Sequence, residues 1–334
     1  MPQVFYHKYF MSAIKEIRAP IEPEMKRFSV YFNTIMKSKV PLLSIITNYI
    51  LRRKGKQLRP MFVFLTAKLS GKINESSFTA AALIELLHTA TLVHDDVVDE
   101  SLERRGVFSI NALWKSKVAV LLGDYLLSKG MLLAISNKEY DLLEIASEAV
   151  EEMIEGELLQ IQKSRKLNVS EDEYFEIIRK KTAALIAACC ASGTKSVTDD
   201  PEAISKMKQF GEYIGIAFQI RDDMFDYEKN GLLGKPTGND IKEKKLTLPL
   251  IHALKNTNPA QRRKILGLVR HHNKKSAKVN EVIRFVRDNK GMEYSKEKMN
   301  EYKNKALDIL NTFPESKARS SLQKLALYTA SRVK

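Results

Sequence analysis

The sequence predicts an all-α protein, and three observations carry that expectation. Long stretches are rich in Ala, Leu, Glu and Lys, the residues that lose least on entering a helix. Only 14 Gly and 10 Pro interrupt 334 residues. No series of alternating apolar and polar residues separated by hairpin turns marks out a sheet. A hydrophobic share of 44% with 28% charged residues is that of an ordinary globular chain, and length alone does not separate one large domain from two.

Composition also narrows the setting. The two cysteines, Cys189 and Cys190, are neighbours on an Ala-rich run, where a helix points them in different directions. They read as small core residues in a reducing, cytoplasmic compartment rather than as a disulfide framework. The first twenty residues lack a basic start followed by an apolar core, so no secretory leader is expected. The apolar stretch 79–93 is too short for a bilayer and contains Glu85 and His88, so no membrane span is expected either. A net charge of +15 suits nucleic acid, a lipid surface or a phosphorylated substrate. Much of the excess sits in late runs such as Arg262-Arg263-Lys264 that read as solvated helix ends, so charge alone selects no partner.

Taken in order, the chain up to Arg53 reads as two or three amphipathic helices punctuated by Pro20, Pro23 and Pro41. In Lys54-Gly55-Lys56-Gln57-Leu58-Arg59-Pro60, cations lead into a proline suited to a first helical turn. Amides at a helix start beside Lys56 and Arg59 suit an anion, although the segment by itself reads as a basic surface loop. The next helix has apolar residues at Leu83, Ile84, Leu86, Leu87, Ala90, Val93, Val97 and Val98, and ends in His94-Asp95-Asp96-Val97-Val98-Asp99. At 3.6 residues per turn, Asp95 and Asp99 share a face with Asp96 beside them. Nothing in the helix needs three repelling charges there; a hard cation such as Mg2+ would relieve them. A solvated acidic helix end is the alternative for one such cluster. Arg104 and Arg105 follow, and Arg forks take phosphate oxygens in pairs.

Helices are expected over residues 117–136 and 138–165, the second carrying Gln160, which suits a buried site or the surface equally. Ser170 and Glu173 form a capping box for the next helix, which passes Lys180-Lys181-Thr182 into an apolar run; a lysine there snorkels or meets an anion. Asp200-Pro201 opens a helix ending in Gln219-Ile220-Arg221-Asp222-Asp223-Met224-Phe225-Asp226. This repeats the i, i+1, i+4 carboxylate spacing of Asp95, Asp96 and Asp99, and two matching triads suggest helices facing each other across a metal-filled cavity. Glycines, Pro236 and lysines over residues 231–245 mark a mobile loop of the kind that closes over a phosphate group. Amphipathic helices without evident chemistry run from Leu246 to the C-terminus.

Together these segments, from Gly55 to Pro249 and in the same order, resemble the trans-isoprenyl diphosphate synthase (polyprenyl synthetase) family. The two DDxxD motifs carry the resemblance, with His88, Arg104-Arg105, Gln160, Lys181-Thr182, Gln219, Lys235 and Lys245. It implies a single all-α isoprenoid synthase domain over 1–334, a bundle of about ten or more helices around a central cavity, acting as a homodimer on isopentenyl diphosphate and an allylic diphosphate. By resemblance, Asp95, Asp99 and Asp222 are the main Mg2+ ligands, supported by Asp96, Asp223 and Asp226. Arg104, Lys181, Lys235 and Lys245 hold the allylic diphosphate; Lys56, Arg59, His88 and Arg105 hold that of isopentenyl diphosphate; Thr182 and Gln219 flank the reacting carbons. Two departures stand out: Lys54 and Gln57 replace a glycine and an arginine of a frequent Gly-Gly-Lys-Arg, and Lys244 stands where a glycine often precedes the final lysine.

Product length is argued physically. Ala90 lies five residues before Asp95, roughly 7.5 Å deeper along the helix, where an aromatic ring would block a growing chain. With Thr91 beside it and Leu87 deeper, the sequence is most like the long-chain all-trans-polyprenyl synthases of the octaprenyl, heptaprenyl and solanesyl type that supply quinone side chains. A short-chain farnesyl or geranylgeranyl synthase is the alternative, ahead of a class I terpene cyclase, which typically lacks the second DDxxD. A non-catalytic partner subunit would be expected to have lost one triad, and both are intact. Six histidines offer no ligand set for an HD-type phosphohydrolase, and a nucleic-acid-binding role leaves both triads unexplained, so none is expected. Transient membrane contact at product release is compatible with a chain that does not span the bilayer.

Overall fold

The computed structural model describes residues 13–52, 55–101, 103–104, 107–228 and 238–331. Nearly every described segment is helical, as the composition predicts. Residues 13–18 and a 3₁₀ turn, Ala19–Ile21, precede α1 (Glu22–Ile35) and α2 (Pro41–Arg52), both with proline in the first turn, where its missing N–H costs nothing. Then comes α3 (Leu58–Ser70), entered through Gln57 in the left-handed conformation at φ 52°. Next is α4 (Glu75–Val98), started by reciprocal caps between Asn74 and Ser77. A minimal antiparallel pair follows, β1 (Glu103–Arg104) with β2 (Val107–Phe108).

Two 27-residue helices come next, α5 (Ile110–Ser136) and α6 (Tyr140–Lys166). Lys115 leaves helical geometry at φ 66° and ψ 163°, so the regular part of α5 begins close to where the apolar pattern places it. The Ser170–Glu173 capping box opens α7 (Glu171–Ile178) as expected. A π-helical turn, Arg179–Ala183, joins it to α8 (Ala184–Lys195). Asp200 caps α9 (Pro201–Phe225), accepting from the Glu202 amide at 3.0 Å. The remaining helices are α10 (Asn239–Lys242), α11 (Leu248–Lys255), α12 (Pro259–His271), α13 (Ser276–Asp288), α14 (Gly291–Asn311) and α15 (Lys317–Ser331). The loop expected over residues 231–245 is corrected in part: Asn239–Lys242 is a helical turn, while 229–237 lies outside the described residues.

Two apolar cores organise the molecule. The first gathers α1, α3, α4, α5, α8 and α15 around Phe28, Phe62, Phe64 and Leu83. The second gathers α7 and α10 to α13 around Tyr227, Leu250 and Val282. The helix α9 belongs to both, giving Phe210 and Ile214 to the first and Ile216, Ile220 and Met224 to the second, so its C-terminal end is anchored deep in the fold. Central α4 packs against α3, α5, α6 and α8, which is why it is apolar nearly all round. By length and composition α4 and α5 could each cross a bilayer, contrary to the expectation that no stretch would. In α4 72% of the apolar window is buried inside the protein, the mark of a core helix, whereas in α5 only 33% is. Burial pushes the Cys189 thiol up to about 12 and Cys190 well above its ordinary value, in keeping with inert core residues.

The π turn is gripped from two sides by glycines. A Cβ on Gly156 of α6 would stand 2.7 Å from the Lys181 backbone nitrogen, and one on Gly215 of α9 would stand 2.4 Å from the Ala183 Cα. Both obstacles are backbone, so neither can swing aside. Gly215→Ala is therefore expected to lower unfolding free energy by about 1–3 kcal/mol. Gly267→Ala, on an open face of α12 with nothing within 4 Å, should raise it by a few tenths to about 1 kcal/mol. Urea denaturation of the two variants checks the contrast.

Candidate active site

The end of α9 carries four polar side chains on neighbouring faces: Gln219, Asp222, Asp223 and Asp226. With Gln160, Lys163, Tyr174, Lys181, Thr182, Asp240, Lys245 and Thr247 they line a cavity of about 250 Å³. Asp223 is buried and fully engaged. Its Oδ2 accepts from the Tyr174 hydroxyl at 2.7 Å and its Oδ1 from Gln219 Nε2 at 2.7 Å. Gln219 Oε1 in turn accepts from the Thr182 hydroxyl at 2.8 Å. When Asp223 is ionised it can only accept, and the chain then fixes the direction of each hydrogen and the amide orientation of Gln219.

The backbone beyond the helix is pinned as firmly. Asp226 Oδ2 accepts from the Asp240 amide at 2.5 Å, and the Asp226 carbonyl accepts from the Gly238 amide at 3.0 Å. One residue on, the Tyr227 carbonyl accepts from Arg287 Nε at 2.7 Å, and the Tyr227 hydroxyl pairs with Thr247 at 2.9 Å. Asp222, Asp223, Asp226 and Asp240 thus converge. Burial pushes Asp223 up to about 7 against the bonds from Tyr174 and Gln219, with Asp222 and Asp226 adding repulsion. Burial, then Asp223 and Asp226, push Asp240 up to about 8. The acidic donors are all oxygen, with neither His nor Cys in the lining, a set suited to a hard divalent cation such as Mg2+.

The cations differ in their company. Lys181 is ion-paired to Glu157 and donates to Gln160 Oε1 at 2.9 Å, so Gln160 belongs to the cavity rather than the surface. Lys245 meets Glu243 at 2.5 Å; burial pulls its ammonium down, but Glu243 and Asp240 together hold it above its ordinary value. Lys244, at φ 59°, adopts the left-handed backbone that explains why glycine suits this position. Lys56 is exposed and donates to the Tyr328 hydroxyl at 2.7 Å. Arg59 is half-buried, and its Nε is sheltered without a hydrogen-bond partner among the described residues. His88 is buried. The Arg104 backbone lies in β1, while Arg105 and Lys235 fall outside the described residues.

The first triad is placed differently from the second. It ends α4 as expected, with Asp99 as the C-cap, but Asp95 and Asp99 are exposed and Asp96 is buried. The Asp96 carbonyl accepts from the Ser101 amide at 3.0 Å and from Asn111 Nδ2 at 3.2 Å. Asp95, Asp96 and Asp99 are not among the residues lining the cavity; α4 and α9 share α8 as a packing partner. Among the described residues, no three His, Cys, Asp or Glu side chains are drawn together tightly enough to grip a metal by themselves. Deeper on α4, Ala90 is wholly buried, and Leu87 lies against Gly130 of α5. Thr91 donates to the His88 carbonyl at 2.9 Å. Tyr174 and Asp240 were not legible as site residues: Tyr174 looks like one more apolar residue of α7, and Asp240 like one more loop acid.

Known proteins are similar to this chain in sequence and in fold. A family model described as polyprenyl synthetase matches residues 40–286. An octaprenyl diphosphate synthase from Haemophilus influenzae is 34% identical over 333 residues, 97% of this chain and 99% of that one. A crystal structure of polyprenyl synthase from Caulobacter crescentus, complexed with calcium and isoprenyl diphosphate, superposes with a TM-score of 0.87 at 31% identity, covering 96% of this chain and 98% of that one. A geranylgeranyl pyrophosphate synthase structure from Bacteroides thetaiotaomicron gives 0.82 at 38% identity, over 96% and 100% of the two chains.

The raised carboxyls set a pH dependence. An acid whose folded value lies above its ordinary 3.8 lends its stabilisation in full below that value and loses it as pH rises through the folded value. Metal-free protein should therefore lose thermal stability as pH rises from the ordinary 3.8 toward about 7 to 8, and level off above that. Asp223→Asn should flatten that slope, and added Mg2+ should raise the melting temperature more at pH 8.5 than at pH 5.5; thermal melts across the series check both.

Proposed function

We infer the activity from one premise: the chain belongs to the polyprenyl synthetase family. It is a polyprenyl diphosphate synthase, a prenyltransferase that elongates a trans-prenyl diphosphate. We propose that it condenses isopentenyl diphosphate with an allylic diphosphate in a Mg2+-dependent reaction, giving a long-chain all-trans product for quinone side chains. The observation that carries the reading is the hydrogen-bonded chain Thr182, Gln219, Asp223 and Tyr174 in a cavity walled by carboxylates and by Lys181 and Lys245.

In this reading Asp95, Asp99 and Asp222 are the main metal ligands, with Asp96, Asp223 and Asp226 in support. When bound, the metal supplies charge that stabilises the diphosphate leaving group. Lys181 and Lys245, with Arg104 and Lys235, hold that group on the allylic substrate. Lys56, Arg59, His88 and Arg105 hold the diphosphate of isopentenyl diphosphate, and the sheltered Arg59 Nε is a donor suited to it. The direction of the hydrogen-bond chain then matters. Thr182 spends its hydrogen on Gln219, and Gln219 spends an amide hydrogen on Asp223, so both oxygens keep lone pairs for a developing allylic cation. The isopentenyl double bond attacks that carbon, and the released diphosphate takes the proton that is lost.

A homodimer formed from one domain per chain is supported by the apolar outer face of α5 and α6, where Leu121, Leu132, Ile154 and Leu158 are all exposed. A cytoplasmic enzyme making only transient membrane contact fits the burial of α4 within the protein. Buried Ala90, with no ring in its place, and the full-length octaprenyl relative favour the long product. A geranylgeranyl product is the second reading, favoured by the 38% identical structure.

Incubation with Mg2+, isopentenyl diphosphate and allylic primers of graded length, with mass analysis of products, tests the reaction and the chain length together. Products of only four isoprene units would overturn the long-chain reading. Asp95→Ala and Asp222→Ala should each reduce turnover at least a hundredfold with unchanged circular dichroism; near-normal activity of either would remove the two-triad site. Ala90→Phe should shorten the product. If it instead lowers stability by about 1–3 kcal/mol and leaves product length alone, Ala90 faces packed core and not the chain.

A further inference from the structure

The last helix reaches back to the first basic segment. Leu322, Leu325, Ala326 and Tyr328 of α15 are buried in the same core as Met61 and Leu65 of α3, and the two helices pack together. This places Tyr328, 5% exposed, beside a lysine 272 residues away in sequence. Lys56 Nζ donates to the Tyr328 hydroxyl at 2.7 Å and lies 5.3 Å from the centre of its ring. Lys56 itself rides on an exposed turn ahead of Gln57, so without a partner its long side chain would sample many rotamers.

The identity of the partner is informative. Lys181 and Lys245 are neutralised by Glu157 and Glu243, so an anion must compete with a carboxylate for each of them. Tyr328 holds Lys56 through a neutral hydroxyl, which orients the ammonium without cancelling its charge. Among the described residues one of its three N–H donors is used, which leaves two for phosphate oxygens. Holding the side chain before binding reduces the ordering cost of the complex.

We propose that Tyr328 is a positioning residue for the diphosphate of isopentenyl diphosphate, making the C-terminal helix part of that subsite. The inference deepens the reading above and rests on its assignment of Lys56. It concerns a residue beyond the 40–286 that the family model matches.

The test uses the full-length chain and three variants: Tyr328→Phe, Lys56→Ala and the double variant. Each is assayed with isopentenyl diphosphate varied at saturating allylic primer, then the reverse, alongside thermal melts. Tyr328→Phe keeps the ring and its packing and should raise KM for isopentenyl diphosphate about three- to tenfold, the effect of one hydrogen bond of ordinary strength. KM for the allylic primer and the melting temperature should stay as in the parent. Lys56→Ala should raise the same KM further, and adding Tyr328→Phe to it should change nothing more. An unchanged or lowered isopentenyl KM in Tyr328→Phe, or an equal rise on the Lys56→Ala background, overturns the proposal while leaving Lys56 in place. An unchanged KM in Lys56→Ala removes the assignment of Lys56 and the proposal with it.

Discussion

Carboxylates buried at the end of α9 impose the main constraint on this molecule. A buried carboxylate is expensive unless it is hydrogen-bonded or matched by a cation. Asp223 receives two side-chain donors and Asp226 a backbone amide, and each donor comes from a separate element: Tyr174 from α7, Gln219 from α9 itself, and the Asp240 amide from the start of α10. Those elements must then be held to within a fraction of an ångström. The second apolar core does this, with Arg287 and Thr247 fastening Tyr227 just past the last aspartate.

The same constraint accounts for the close helix packing around the π turn. Thr182 reaches Gln219 only if the turn that carries it lies against both α6 and α9, and glycines at 156 and 215 permit that approach. A π turn adds a residue to the winding and re-aims the side chains it carries, which is why such turns are frequent at functional sites. Here Lys181 and Thr182 point into one cavity together, the first toward Gln160 and the second toward Gln219. Placing Lys181 beside Glu157 of α6 and Lys245 beside Glu243, two residues before it, keeps a strongly charged site from repelling itself apart, at the cost of competition with any incoming anion. Lys56 is held instead by the hydroxyl of a tyrosine.

Most of the architecture was legible from residues. The Ser170–Glu173 box, Asp200-Pro201 and the apolar stripe ending at Val98 each located a helix terminus, because capping and periodicity are local interactions encoded within a few residues. The break at Lys115, the π turn and the short helix Asn239–Lys242 were not, since each departs from a regular pattern only under tertiary packing. The outer face of α5 escaped notice as a candidate membrane stretch for a related reason: apolar sequence is the same whether a helix faces core, partner or lipid.

The sequence by itself determined the all-α class, the two aspartate triads and the family, because these depend on residue type and spacing along one helix. Only the tertiary structure decided which residues share a space. It brought Tyr174 and Asp240 to the second triad, paired Lys181 with Glu157, and set Tyr328 against Lys56. It also set the first triad at an exposed helix end, outside the lining of the cavity that holds the second. Spacing along a chain fixes neighbours within a turn or two of helix, whereas the neighbour across a cavity is fixed by how whole helices pack.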